Sequence, residues 1–162
     1  MRRPLLGLSL ALLGLLGVMA ACDTGKAGTG FLDVGDLRDP PVPDHFTGEA
    51  VVLEARLALR SNGCVTVVVD GVERMPLWPD GTDVAPKPGD LTHYVVELPG
   101  GITLTVDDAS GDAFRARGVI DNNPGPFEVD GVRAEKVASF LAFCGVEALP
   151  VAFPDAATFT AR

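Results

Sequence analysis

The sequence predicts a mainly β domain: a small, partly open β-barrel or sandwich of five to seven short strands with one late helix. Three observations lead there. Apolar residues alternate with polar ones at period two in several short runs, as at Leu53, Ala55, Leu57 and Leu59. Residues suited to tight turns separate those runs, notably Asn62-Gly63, Asp70-Gly71 and Pro99-Gly100-Gly101. A single stretch near the C-terminus changes period, with Val137, Phe140, Leu141 and Cys144 at i, i+3, i+4 and i+7.

The chain opens on a segment that reads as an address. Arg2 and Arg3 are followed by an uncharged, Leu-rich run of 17 residues from Leu5 to Ala21, closed by Met19-Ala20-Ala21-Cys22. Charge, apolar run and small residues in that order describe an export signal. With Gly7, Gly14 and Gly17 inside it, the run is short and loosely helical for a membrane span of about 20 residues. Its last four residues resemble the lipobox of bacterial lipoproteins. That resemblance implies cleavage between Ala21 and Cys22 and fatty acylation of the Cys22 thiol. Residues 1–21 are then a signal peptide, and the protein is exported and lipid-anchored to a bacterial membrane, facing the periplasm or cell exterior. Asp23 resembles an inner-membrane retention signal, and Arg2-Arg3 faintly resembles a twin-arginine signal.

Cleavage leaves 11 basic residues against 22 acidic ones, a formal charge of −11 on a chain of 141 residues. That length suits one domain with a real core. The charge repels nucleic acid and anionic headgroups, so membrane attachment would rest on the acyl chains alone. The remaining thiols, Cys64 and Cys144, are read as a disulfide, because a leftover pair in an exported small domain usually bonds. Two buried free thiols are the alternative. Two cysteines without neighbouring Cys or His fall short of a zinc set.

Residues 22–45 read as a flexible acidic Gly/Pro tether, with Phe31-Leu32, Val34 and Leu37 its only apolar interruption. Residues 46–153 form the domain. Its first strand ends at Asn62-Gly63 and returns from Cys64 to Val69. Val72 to Leu77 is a third strand, assigned to an edge or bulge by Pro76. Val84 to Asp90 reads as irregular. Thr92–Leu98 and Ile102–Val106 form a hairpin, and Phe114, Ala116, Gly118 and Ile120 alternate along another strand. Over residues 132–143 a helix and a strand both remain open, with Gly145 a plausible helix stop. Val146 to Phe153 reads as a last, edge strand because of Pro150, and residues 154–162 as a loose tail.

Gly111-Asp112 followed by Phe114 and Gly118 resembles the Gly-Asp turn and curved strand of OB-folds, and Phe46-Thr47-Gly48-Glu49 is similar to the opening of their first strand. Gly63-Cys64, Leu77-Trp78-Pro79-Asp80-Gly81-Thr82 and the late Cys144 resemble a loose group of uncharacterised bacterial lipoproteins. The resemblance implies an OB-like barrel and an envelope address, and brings no activity with it.

Candidate sites are few. Ser61, Ser110 and Ser139, with His45 and His93, form no nucleophile-elbow pattern. His45 abuts the tether and His93 lies in a strand. Asp107, Asp108 and Asp112 crowd one loop and Asp121-Asn122-Asn123 another, without the spacing of a calcium loop. Arg115 and Arg117 share a strand face, as do Arg56 and Arg60. Four guanidinium groups on neighbouring strands would make an anion-binding patch, unless acids such as Glu54 pair them off. Trp78 is either a stacking platform or a plug for the barrel mouth. The expectation is a non-catalytic binding module for a protein, peptide or cationic ligand, with no cofactor and no metal. The alternative is a hydrolase-like envelope enzyme assembled around His93 and Asp112.

Overall fold

The computed structural model describes residues 31–38 and 41–162. The expected signal, its expected cleavage point at Ala21–Cys22 and Cys22 itself lie outside the described residues. The domain is mainly β, and its sheets do not close into a barrel.

The chain enters as a short strand, β1 (Leu32–Asp33), followed by a 3₁₀ turn over Val34–Leu37. It then builds β2 (Val51–Leu59), β3 (Val65–Val69), β4 (Val72–Arg74) and β5 (Pro76–Trp78). Next come β6 (Asp83–Lys87), β7 (Asp90–Leu98), β8 (Ile102–Asp107) and β9 (Ala113–Ile120). A small hairpin, β10 (Glu128–Val129) and β11 (Val132–Arg133), leads into helix α1 (Glu135–Cys144). The chain ends with β12 (Val151–Ala152), a 3₁₀ turn at Ala156–Thr158 and β13 (Thr160–Ala161).

The main sheet has the order β1-β5-β12-β9-β2-β3-β4, with β13 also paired to β9; β6-β7-β8 form a second sheet. The alternation read from sequence fixes the faces. Leu53, Ala55 and Leu57 of β2, with Phe114 and Ala116 of β9, point into the core. Glu54, Arg56, Arg115 and Arg117 point out. The β3–β4 hairpin turns on Asp70 and Gly71, at φ 50° and 76°, the doubly positive pair that matches strand twist.

At the centre Trp78, Phe114, Phe153 and Phe159 stack with centroids 5.2 to 6.3 Å apart. Offset and edge-on rings at these spacings add attraction beyond area burial. A second apolar cluster joins Leu32, Val34 and Leu77 to Phe127 and Val137. The late 3.6-residue period resolves as a helix, closed by Gly145 at φ 62°, whose N–H donates to the Leu141 carbonyl at 3.0 Å. Cys64 and Cys144 are disulfide-bonded, packed with Met75.

Five expectations need correction. The tether does not extend to residue 45 as free coil. Leu32 is fully buried, β1 pairs in parallel with β5, and Asp33 and Asp36 form a capping box. Its few apolar residues sufficed because they complete a sheet edge against α1.

Val84 to Asp90 contributes β6, an edge strand whose register shifts at Pro86/Lys87, and a bulged edge tolerates proline. The third strand divides into β4 and β5. Pro76 begins β5, a position where a missing N–H is tolerated, and β5 lies inside the sheet. Only Val151–Ala152 of the last expected strand is extended, and it lies between β5 and β9 rather than at an edge. The C-terminal tail is ordered: Phe159 is buried and β13 pairs Thr160 with Arg115. A single aromatic among small residues was too weak a signal to reveal that.

Candidate functional site

Where β2, β8 and the start of β9 meet, the chain folds around a Gly-Asp corner. Gly111 is pressed against β2, where a Cβ would overlap the Leu57 carbonyl, so no larger residue fits without moving the strand. Behind it Asp112 ties two strands together. Its Oδ2 accepts from the Thr105 amide at 2.7 Å and the Thr105 hydroxyl at 3.0 Å. Its carbonyl accepts from Leu57 N–H at 3.0 Å.

The loop from Asp107 to Ser110 turns on the Asp107 carboxylate. Its Oδ1 accepts from Ala109 N–H at 2.9 Å and Ser110 N–H at 2.7 Å. These amide donors, Ala109 first, hold the Asp107 carboxyl below the usual aspartate range, with smaller help from the Ser110 hydroxyl and from His93. His93 is directly opposite Asp107 in the β7–β8 register.

Around this corner opens a cleft of about 680 Å³. Glu54, Asp107 and Asp112 line it as acids, with Arg56, Arg162 and His93. Glu54 is held below the usual glutamate range, chiefly by its hydrogen bond from Arg115 at 2.8 Å and then by Arg162. The cleft thus brings together His93 and Asp112. The Asp112 oxygen named above is committed to Thr105, and the Ser110 hydroxyl turns toward Asp107 at 3.3 Å. Among the described residues no cluster of three or more His, Cys, Asp or Glu side chains is arranged to hold a metal ion.

The strands that carry the four arginines are neighbours, yet the guanidinium groups do not converge. Arg115 is taken by Glu54, and Arg117 donates to the Ala50 carbonyl at 2.6 Å. Arg56 donates to the Gly111 carbonyl at 2.7 Å, and Arg60 sits 3.7 Å from Glu73. The acids and carbonyls that pair them off leave no anion patch on this face. Trp78 is 1% exposed inside the aromatic cluster. It is a core residue and offers no face to a ligand.

Sequence reasoning missed a second polar cluster. His45 is buried, and its Nδ1 lies 2.7 Å from Asp121 Oδ2. Its ring stacks on Phe127 at 3.9 Å. These residues are 76 and 82 positions apart, and no local pattern links them. The signal that could have found them was a lone His next to a Phe, beside an otherwise polar stretch.

No described helix is long and apolar enough to cross a membrane. Compared with protein-family models, with curated proteins and with solved structures, the chain matches none.

Proposed function

We propose that this protein is a lipid-anchored module of the bacterial cell envelope that binds its ligand without chemical change, in the cleft at the Gly111-Asp112 corner. The observation that carries the reading is the charge arrangement there. Two of the lining acids, Glu54 and Asp107, are held in the charged form, and Glu54 is already paired with arginines. Asp107 and Asp112 are the other acids that line the cleft. They suit the cationic end of a peptide or protein, since a charged hydrogen bond is worth about 1.5–3 kcal/mol. The acidic surface supports the same choice of partner. The leader and Cys22 supply the anchor in this reading.

Two measurements test it. Cys22→Ser should abolish acyl labelling and release the protein from membranes; unchanged retention would end the anchor. Titration of a tri-arginine peptide, followed by amide shifts, should move Thr105, Ala109 and Ser110. Asp107→Asn with Asp112→Asn should weaken it at least about tenfold, or about 1.4 kcal/mol. Shifts confined to other faces would remove the cleft from the account.

The second reading, a hydrolase-like enzyme, draws on one observation: His93 and Asp112 line the same cleft. Turnover of a chromogenic ester panel that His93→Ala abolishes would favour it over binding.

A further inference from the structure

The register of the main sheet fixes which end of the domain the N-terminal chain approaches. Leu32 is level with Leu77, Leu77 with Ala152, and Ala152 with Val119. Phe31 therefore enters at the level of Ile120, the final residue of β9. The cleft lies at the other end of the same strand, beside Ala113 and Phe114. Seven residue steps along β9 separate the two ends, about 23 Å at a strand rise of 3.3 Å.

From Cys22 to Phe31 the chain has nine residue steps. Nine steps reach at most about 30 Å when fully stretched, and on the order of 16 Å as a root-mean-square coil. Turning the cleft toward a bilayer would take nearly all of that length, because the connection would have to run back along the domain.

We infer that the cleft is presented away from the bilayer, so that its partner is a water-borne basic peptide segment and not a lipid headgroup. This rests on the lipid anchor and on the cleft as the binding site. The loops at the opposite end, around Asn122 and Pro124, face the membrane.

The test uses the full-length lipidated protein on vesicles carrying a headgroup-labelled acceptor lipid. With Cys22 acylated and Cys64 bonded to Cys144, an engineered cysteine is the one free thiol for a donor dye. Asp108→Cys and Ala109→Cys report the cleft end; Asn122→Cys and Pro124→Cys report the other. Using two positions at each end keeps the comparison valid if one variant folds poorly.

Energy transfer at 122 and 124 should exceed that at 108 and 109 at least twofold. Equal or reversed transfer on floating vesicles overturns the orientation and leaves the anchor standing. Protein that fails to float with vesicles overturns the anchor, and the orientation with it. The tri-arginine peptide should bind the vesicle-bound protein within about twofold of its affinity for the Cys22→Ser protein. A tenfold loss on vesicles would place the cleft against the bilayer. Binding to neither form would remove the peptide as partner, whatever the orientation.

Discussion

His45 and Asp121 meet at 2.7 Å with both side chains almost wholly buried, joining the N-terminal arm to the end of β9. The carboxylate is fully used: Oδ1 accepts from the amides of Phe46 at 3.0 Å and Asn123 at 3.2 Å. On the far side of the ring, Nε2 lies 3.2 Å from the Pro126 carbonyl. Asp44 and Phe46 flank the histidine at φ 67° and 53°, a conformation that costs of order 1 kcal/mol or more at each non-glycine residue. A turn with two residues at positive φ is thus held by a small set of buried polar contacts. The pair resembles a catalytic dyad in chemistry, but its second nitrogen faces a carbonyl and the ring is sealed under Phe127. It is a structural clamp.

Removing one partner should therefore be severe. His45→Ala leaves Asp121 buried without its ring partner and removes a buried ring from Phe127, which together cost about 3–5 kcal/mol. Asp121→Asn keeps an acceptor for the amides and should cost less, about 1–3 kcal/mol. Urea unfolding checks both. A His45→Ala loss below about 1 kcal/mol would mean the arm is held mainly by Leu32 and its neighbours.

The C-terminal segment should contribute through a single side chain. Phe159 is 5% exposed and touches Trp78, Phe114 and Phe153. Its truncation to alanine should cost about 3–5 kcal/mol, the usual range for a buried aromatic. Thr160→Ala, on an exposed terminal strand, should stay within about 0.5 kcal/mol. Thermal unfolding of the two variants side by side measures the contrast. Equal, small effects would return residues 154–162 to the status of a loose tail.

The Cys64–Cys144 bond closes a long loop, with a sequence separation of 80. In the chain-entropy account such a closure restricts the unfolded state by up to about 4.5 kcal/mol. The double variant Cys64→Ser with Cys144→Ser, or reduction of the native protein, should lower stability by a large part of that figure. Denaturant unfolding with and without reductant gives the number. A change under about 1 kcal/mol would show that Met75, Phe140 and Leu141 hold α1 in place without the bridge.

Much of this fold is written in local patterns. β2 and β9 follow from strict alternation, the β3–β4 hairpin from Asp70-Gly71, and α1 from four apolar residues ended by Gly145. The Gly111-Asp112 corner was marked only by its resemblance to the turn of OB-folds; the approach of Gly111 to Leu57 and the cleft beside it come from strand packing that no local pattern records. What sequence concealed depends on partners far along the chain. Nothing beside Leu32 announces that it will lie on β5, and Pro76 and Pro150 signal edges although β5 and β12 are flanked on both sides. Each proline sits at or before the first residue of its strand, where the lost N–H is harmless. For the arginines the sequence named both outcomes, a patch or pairing by acids such as Glu54, and the structure shows the pairing. The adjacency of the two strands, the Glu73 partner and the two backbone carbonyls were matters of register that local pattern left open.

The 107–110 turn gives a pH dependence with a definite sign. Asp107 accepts from the amides of Ala109 and Ser110, and those donors favour the carboxylate, so its folded pKa lies below the ordinary aspartate value. A depressed carboxyl contributes order above the unfolded pKa and loses it as pH falls through the folded one. The charged neighbour facing it across the strand pair is His93, which acts in the same direction once protonated. The Ala109 and Ser110 amide resonances should accordingly follow the Asp107 carboxyl as it is protonated. Their transition should be centred below the ordinary aspartate value, and tri-arginine binding should fade over the same interval. In Asp107→Asn the amide step should vanish and the peptide should bind weakly at every pH. A transition at or above the ordinary aspartate range would show that these donors do not stabilise the charged carboxylate.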